Sequence, residues 1–191
     1  MPYTERLDDA LVYAADLHRD QTRKGTGVPY VTHLLAVAAI AGENGGTEDE
    51  VVAALLHDAP EDAGGEAQLA KIRARFGDTV AEIVAGCTDT YEDPKPPWRE
   101  RKEEYIAHLS GAPASVRLVS AADKLHNARS VLADYRAIGE DLWGRFTGGR
   151  DGTLWYYRAV ADALAKAGGG PVVDEIDRVV TDLERLADGR G

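Results

Sequence analysis

Positive charge is scarce in this chain. Its 22 lysines and arginines stand against 33 aspartates and glutamates, for a formal net charge of −11. Such a surface repels nucleic acid and anionic membranes, so neither is expected as a partner unless cations gather locally. Cysteine is nearly absent. The one residue, Cys87, excludes an internal disulfide and fits a reducing cytoplasm. Long apolar runs are missing too, and none approaches the ~20 residues that cross a bilayer. Residues 1–20, MPYTERLDDALVYAADLHRD, carry acids where a secretory leader carries bases, so no leader is expected. No repeat with a period of roughly 20–50 residues is visible, and no low-complexity block.

What is present reads as a soluble globular chain: 44% of its 191 residues are hydrophobic and 29% charged. Few stretches alternate with period two, whereas apolar residues recur at helical spacing, as in Leu7, Leu11, Ala14, Ala15 and Leu17 over residues 5–20. The expected fold class is therefore all-α. An alanine-rich helix is expected over 32–42 with Thr32 as candidate N-cap. After the NGG break at 44–46, Thr47 and Glu50 form a capping box for a helix running to about Asp58, where Pro60 should stop it. Helices follow over 66–76 and 78–88, split by Gly77, then a loop at 91–98 and helices over 98–109 and 115–133. A broken region anchored by Trp143 and Phe146 leads to helices over 152–167 and 172–187.

Chemistry concentrates at ALLHDAPEDAGG, residues 54–65, where an apolar helix ends in His57-Asp58 and Glu61-Asp62 follow. A buried charged pair is expensive unless it is compensated, and a divalent cation would compensate it. A helix C-terminus also favours positive charge. One such dipeptide is weak evidence by itself, but two further residues join it. His33 opens the preceding helix in PYVTH, and Asp123 sits among Val119, Ala121, Ala122 and Leu125 in an otherwise apolar helix. Two imidazoles and two carboxylates form a mixed donor set that suits Mn²⁺, Fe²⁺, Zn²⁺ or Mg²⁺, with positions left for water and a phosphate oxygen. Against the overall acidity, basic residues bunch at Arg23-Lys24, at Arg99, Arg101 and Lys102, and at Lys124 and Arg129, enough to hold a small anionic substrate.

The ordered pattern H…HD…D, with RK…PYxxH before it, HDxxED within it and ADKLHN after it, resembles the HD-domain metal-dependent phosphohydrolases. More narrowly it is similar to the alarmone hydrolases: the hydrolase domain of RelA/SpoT proteins and its small stand-alone, Mesh-type relatives. The likeness covers roughly residues 5–165. It implies an HD-domain helical fold with a single catalytic metal site in a central cleft. Residues 1–168 would be the hydrolase domain and residues 169–191 a C-terminal helix packed on it. It further implies one Mn²⁺ per chain, with other divalent metals possible, held by His33, His57, Asp58 and Asp123. Glu61 and Asp62 would order and activate the attacking water. Arg23 and Lys24 would contact the base and its phosphates, Tyr30 would pack beside the nucleoside, Asn127 would bond the ribose or a phosphate, and Tyr156 would touch the substrate. Lys102 would be among the substrate-binding residues, and which of Arg99, Arg101 and Lys102 holds the diphosphate stays open. His18 and His126 read as supporting histidines, His108 as a surface one, and Cys87 as a small buried residue. Three features depart from the pattern: Leu34 follows His33 where many relatives have proline, Pro60 lies inside HDAPED, and the RKGTGVPY loop has two glycines.

The function expected from this resemblance is Mn²⁺-dependent (p)ppGpp 3′-pyrophosphohydrolysis in the cytoplasm, in the stringent response, with the alarmone as partner and the oligomeric state open. Guanine, adenine or both remain open as the base. Other HD nucleotide phosphohydrolases (a (p)pApp hydrolase, an NADPH 2′-phosphatase, a nucleotide 5′-phosphatase) and a non-catalytic alarmone-binding sensor are the alternatives.

Overall fold

The computed structural model describes residues 3–91 and 94–189. Met1, Pro2, Arg190, Gly191 and, in the expected loop at 91–98, Glu92 and Asp93 lie outside them. The described residues form ten α-helices: α1 Glu5–Leu17, α2 Val31–Glu43, α3 Glu48–Leu56, α4 Ala59–Ala63, α5 Gly65–Phe76, α6 Asp78–Cys87, α7 Trp98–Gly111, α8 Ala114–Ile138, α9 Gly149–Lys166 and α10 Pro171–Ala187. A 3-10 segment, Gly139–Arg145, joins α8 to α9 and buries Trp143. Among these residues there is no strand. An isolated bridge between Thr22 and Pro29 pins the neck of the 23–28 loop. No described helix is long and apolar enough to cross a membrane.

The chain is all-α because its apolar residues bury on helix faces. Val51 through Leu56 are all buried, so α3 is covered on every side by α1, α2, α6 and α8. Its alanines, Ala53 and Ala54, let those neighbours approach closely. Helix α8 is the axis of the molecule, packed on α2, α3, α6, α9 and α10. Its apolar side, read from Val116, Val119, Ala122, Leu125 and Val131, is widened by Ala121, Ala128 and Leu132, because neighbours meet it on several faces. Each large aliphatic side chain buried this way contributes about 1.5–3 kcal/mol. On α10, Val172, Val173, Ile176, Val179, Val180 and Leu183 make one buried stripe against α8 and α9.

Helix α8 runs on to Ile138, past the expected 133, and α9 begins at Gly149, before the expected 152; two further differences have a local reason. The capping box at Thr47 and Glu50 is present, but α3 ends at Leu56 rather than near Asp58. Pro60 sits in the first turn of α4, where its missing N–H costs nothing, so it opens a helix instead of closing one. His57 and Asp58 form the joint between the two helices. Thr32 does not cap α2. The N-cap position is Tyr30, with helical backbone and no side-chain cap, and the Thr32 hydroxyl donates to the Pro29 carbonyl at 2.8 Å.

Candidate metal centre and its cleft

Four side chains from three places in the chain converge on one point. His33 comes from the first turn of α2, His57 and Asp58 from the α3–α4 joint, and Asp123 from the middle of α8. His33 Nε2 lies 3.2 Å from Asp123 Oδ1 and 3.5 Å from Asp58 Oδ2. His57 Nε2 lies 3.1 Å from Asp58 Oδ2 and 3.6 Å from Asp123 Oδ1. Both imidazoles are buried, and neither Nε2 has a hydrogen-bond partner.

The outer nitrogens fix which way these rings point. His57 Nδ1 lies 2.8 Å from the Ala54 carbonyl and donates to it, which turns Nε2 toward the cluster. His33 Nδ1 is 2.7 Å from His126 Nδ1. Burial lowers the His126 pKa to about 4, so that ring is neutral. Burial opposes charge on His57, yet the Asp58 and Asp123 carboxylates overcome it and hold its pKa well above the ordinary value. Burial likewise opposes charge on Asp58 and Asp123. His57 with His33, and Lys124 with both imidazoles, hold the two carboxyls well below the usual range.

This arrangement fits a divalent ion. The donor atoms of His33, His57 and Asp58 lie within 4.8 Å of one another, and Asp123 Oδ1 closes the set. Metal–ligand bonds of about 2.1 Å place neighbouring donors about 3.0–3.5 Å apart, close to the spacings seen. Two buried nitrogens without hydrogen-bond partners, aimed at two carboxylates, are a donor set that a divalent ion would satisfy.

Around the cluster the chain supplies an inner polar wall. The Tyr30 hydroxyl donates to Asp58 Oδ2 at 2.5 Å, and burial together with that carboxylate pushes its pKa far up. Lys124 Nζ bonds Asp123 Oδ2 at 2.6 Å, and the Asn127 amide donates to Asp123 Oδ1. Arg23 Nη2 donates to Asn127 Oδ1 at 2.8 Å and stacks over the Tyr30 ring. Cys87 is buried beside this wall. Burial pushes its thiol up to about 11, so it offers no thiolate near neutral pH.

The acidic pair is divided by the first turns of α4. Glu61 lines the same polar cavity as Asp58 and Asp123, while Asp62 does not. Asp62 Oδ2 accepts from Gln21 at 2.8 Å, and His18 Nδ1 bonds the same glutamine at 2.5 Å. Glu61 Oε1 accepts from the Asp89 backbone N–H at 2.9 Å, and burial followed by the Asp89 charge raises its pKa. Asp89 is the residue that sequence reasoning missed. Its carboxylate takes Lys102 Nζ at 2.7 Å and also Arg101. Nothing in its local sequence marks it, because its partners lie a loop away on α7. Of the three α7 cations, Lys102 reaches the cavity. Arg101 is tied to Asp89 and Pro96, and Arg99 stacks on Trp155 and pairs with Glu103. His108 is exposed on α7.

The cleft has three adjoining chambers. The polar chamber at the cluster holds about 200 Å³. On one side lies a chamber of about 500 Å³ between the 23–28 loop and α8, reached by Arg23, Lys24, Tyr30, Phe146 and Tyr157. On the other lies one of about 320 Å³ walled by Lys24, Lys102, Lys124, Trp98 and Tyr156. Asn127 borders all three. Trp155, Tyr156 and Tyr157 divide as consecutive residues must: Tyr156 and Tyr157 are buried beneath the cleft and Trp155 is half-buried under Arg99.

A helical bundle closed around two imidazoles and two carboxylates in this order defines the HD-domain class of protein. The HD domain family matches residues 10–154. The zebrafish (Danio rerio) guanosine-3′,5′-bis(diphosphate) 3′-pyrophosphohydrolase MESH1 is 38% identical over 131 residues, covering 67% of this chain and 70% of that protein. The bifunctional (p)ppGpp synthase/hydrolase SpoT of Escherichia coli is 35% identical over 131 residues, 66% of this chain but 18% of the longer protein. Among solved structures, a metazoan SpoT orthologue described as hydrolysing ppGpp superposes with a TM-score of 0.80 at 26% identity, covering 98% of this chain and 99% of that one. The chain belongs to the HD-domain family and, within it, to the MESH1-type group.

Proposed function

We propose that this chain is a Mn²⁺-dependent (p)ppGpp 3′-pyrophosphohydrolase acting in the cytoplasm. The observation that carries the reading is the junction at Asn127, where a chamber sized for a nucleoside and a three-lysine chamber both open onto the His–Asp cluster. The relatives' activity supports the reaction, and the dimensions and lining of the chambers suit the parts of its substrate. The buried, free Cys87 suits a reducing compartment.

His33, His57, Asp58 and Asp123 would hold the ion. When bound, it supplies Lewis-acid polarisation of a phosphoryl oxygen and lets water ionise near neutral pH. The remaining chemistry belongs to the chain. Glu61, buried and with a raised pKa, is matched to accept the proton of the attacking water. Asp62 anchors Gln21 and, through it, His18, which stacks on Tyr30. Tyr30 orients Asp58 through its hydroxyl. The base lies in the larger chamber, where Arg23 covers Tyr30, and Asn127 bonds the ribose. Lys24, Lys102 and Lys124 neutralise the phosphates, with Tyr156 beside them. Asp89 and Asp123 hold Lys102 and Lys124 in place before substrate arrives. Water adds to the phosphorus next to the ribose 3′-oxygen, the bond between them breaks, and pyrophosphate leaves a nucleotide with a free 3′-hydroxyl.

The test is turnover of ppGpp by metal-stripped protein with and without added Mn²⁺, products being separated by anion exchange. Pyrophosphate and GDP should form with the metal alone. Orthophosphate from NADPH or a nucleoside monophosphate, with no pyrophosphate from ppGpp, would move the chain to another HD phosphohydrolase activity.

A further inference from the structure

The larger chamber contains an ion pair that the proposed chemistry does not use. Asp134, on α8 two turns beyond Asn127, and Arg145, at the end of the 3-10 segment, both line it. Arg145 Nη1 bonds Asp134 Oδ2 at 3.0 Å. The aliphatic shank of Arg145 lies over Gly25, where an added Cβ would stand 2.8 Å from Arg145 Cδ. Gly25 also has φ +77°, so that position favours glycine for its backbone as well as its space. Arg145 is therefore wedged between the 23–28 loop and α8, and it fixes the direction of the Asp134 carboxylate.

We propose that Asp134 is a specificity-determining residue that selects a purine carrying adjacent ring N–H and exocyclic amino donors, with Arg145 as its positioning residue. The proposal rests on the assignment of the larger chamber to the base. A carboxylate offers acceptors only, about four lone-pair sites on two oxygens, and Arg145 occupies one of them. The free sites match the N1–H and 2-amino edge of guanine. Adenine presents a lone pair at N1, which faces the carboxylate unfavourably, and hypoxanthine lacks the amino group. Arg145 also offsets the negative charge, so an anionic ligand can approach a carboxylate in a chain already acidic overall. Charge-assisted bonds of this kind are about twice as strong as neutral ones, so losing one is readable in an affinity.

The experiment measures equilibrium binding of GDP, IDP, ADP and XDP to the wild-type protein and to Asp134→Asn, with ppGpp hydrolysis followed in parallel. The wild type should bind IDP about tenfold more weakly than GDP, and ADP more weakly still. In Asp134→Asn the carboxamide N–H₂ faces the 2-position, so the variant should lose its GDP over IDP preference and gain affinity for XDP, whose 2-oxo group accepts. A gain cannot come from misfolding. Equal wild-type binding of GDP, IDP and ADP would overturn the proposal, as would an Asp134→Asn variant that keeps the wild-type ranking without gaining XDP. Absence of binding by any of the four would overturn the base-chamber assignment and this proposal with it. A wild type that ranks the four as expected but does not cleave ppGpp would refute the hydrolase reading and leave Asp134 standing.

Discussion

His126 Nδ1 lies 2.7 Å from His33 Nδ1, so a half-buried neutral imidazole on α8 holds a candidate metal ligand on α2. The two rings are tilted 42° with centroids 4.8 Å apart, which leaves His33 one way to face the cluster. Replacing an outer partner of this kind typically lowers metal affinity about 10–100-fold. His126→Ala should show that loss in a Mn²⁺ titration, and His126→Gln, which keeps a bonding group near the same place, should show less. Equal affinity in both variants and the wild type would refute the supporting role of His126.

Metal uptake should release a proton from His57. The Asp58 and Asp123 carboxylates raise its pKa well above 6.5 against the cost of burial, so the metal-free ring is charged at neutral pH. A ligand imidazole must be neutral, so binding expels that proton. Apparent affinity should therefore increase with pH until the raised pKa is passed. In the metal-free protein the sign for stability is opposite. The contribution of His57 is fully present below its unfolded value and is lost as pH rises through the folded one. Calorimetric titration with Mn²⁺ in two buffers of different ionisation enthalpy counts the proton, and identical heats in both would contradict the prediction.

Glu61→Gln should lower kcat about 10²–10⁴-fold while leaving Mn²⁺ affinity near the wild-type value. The substitution keeps the shape that accepts from the Asp89 N–H but removes the base. Its wild-type pKa is raised by burial and by Asp89, so the acid limb of the kcat profile should lie above an ordinary glutamate and should vanish in the variant. A residual profile with the same acid limb would assign that limb to another group.

Helix α10 should be a stability element. Leu183 is fully buried against α8 and α9, and Arg158 ties α9 to Asp177, Thr181 and Glu184 across the seam. Leu183→Ala should cost about 2–5 kcal/mol in denaturant unfolding, with activity per folded molecule unchanged. A loss below about 0.5 kcal/mol would mean that α10 adds little to the folded core.

The helices and the four side chains that converge were legible in the sequence because each is marked by a short local pattern. Apolar spacing marks α3, α8 and α10, and an Asp among alanines and leucines marks position 123. The places that failed depend on three-dimensional neighbours. Thr32 looks like a cap in one dimension, but the Thr22–Pro29 bridge brings the chain in with Tyr30 already helical. Pro60 looks like a terminator, whereas the chain turns at His57 and uses it as an opener. Glu61 and Asp62 read as one acidic pair, yet successive helical positions point in different directions, so one faces the cluster and the other faces Gln21. Asp89 and the Asp134–Arg145 pair gain meaning only from partners on other elements, and no local motif announces them.

The most direct test of the account is a ppGpp turnover assay on metal-stripped wild-type protein and on Asp123→Ala, each with and without Mn²⁺, with Mn²⁺ binding measured alongside. Wild-type protein should release pyrophosphate and GDP when Mn²⁺ is added and not before, and Asp123→Ala should fold, bind Mn²⁺ weakly and release neither. Equal turnover with and without metal, or wild-type turnover by Asp123→Ala, would contradict the claim that the cluster on α8 is where the reaction takes place.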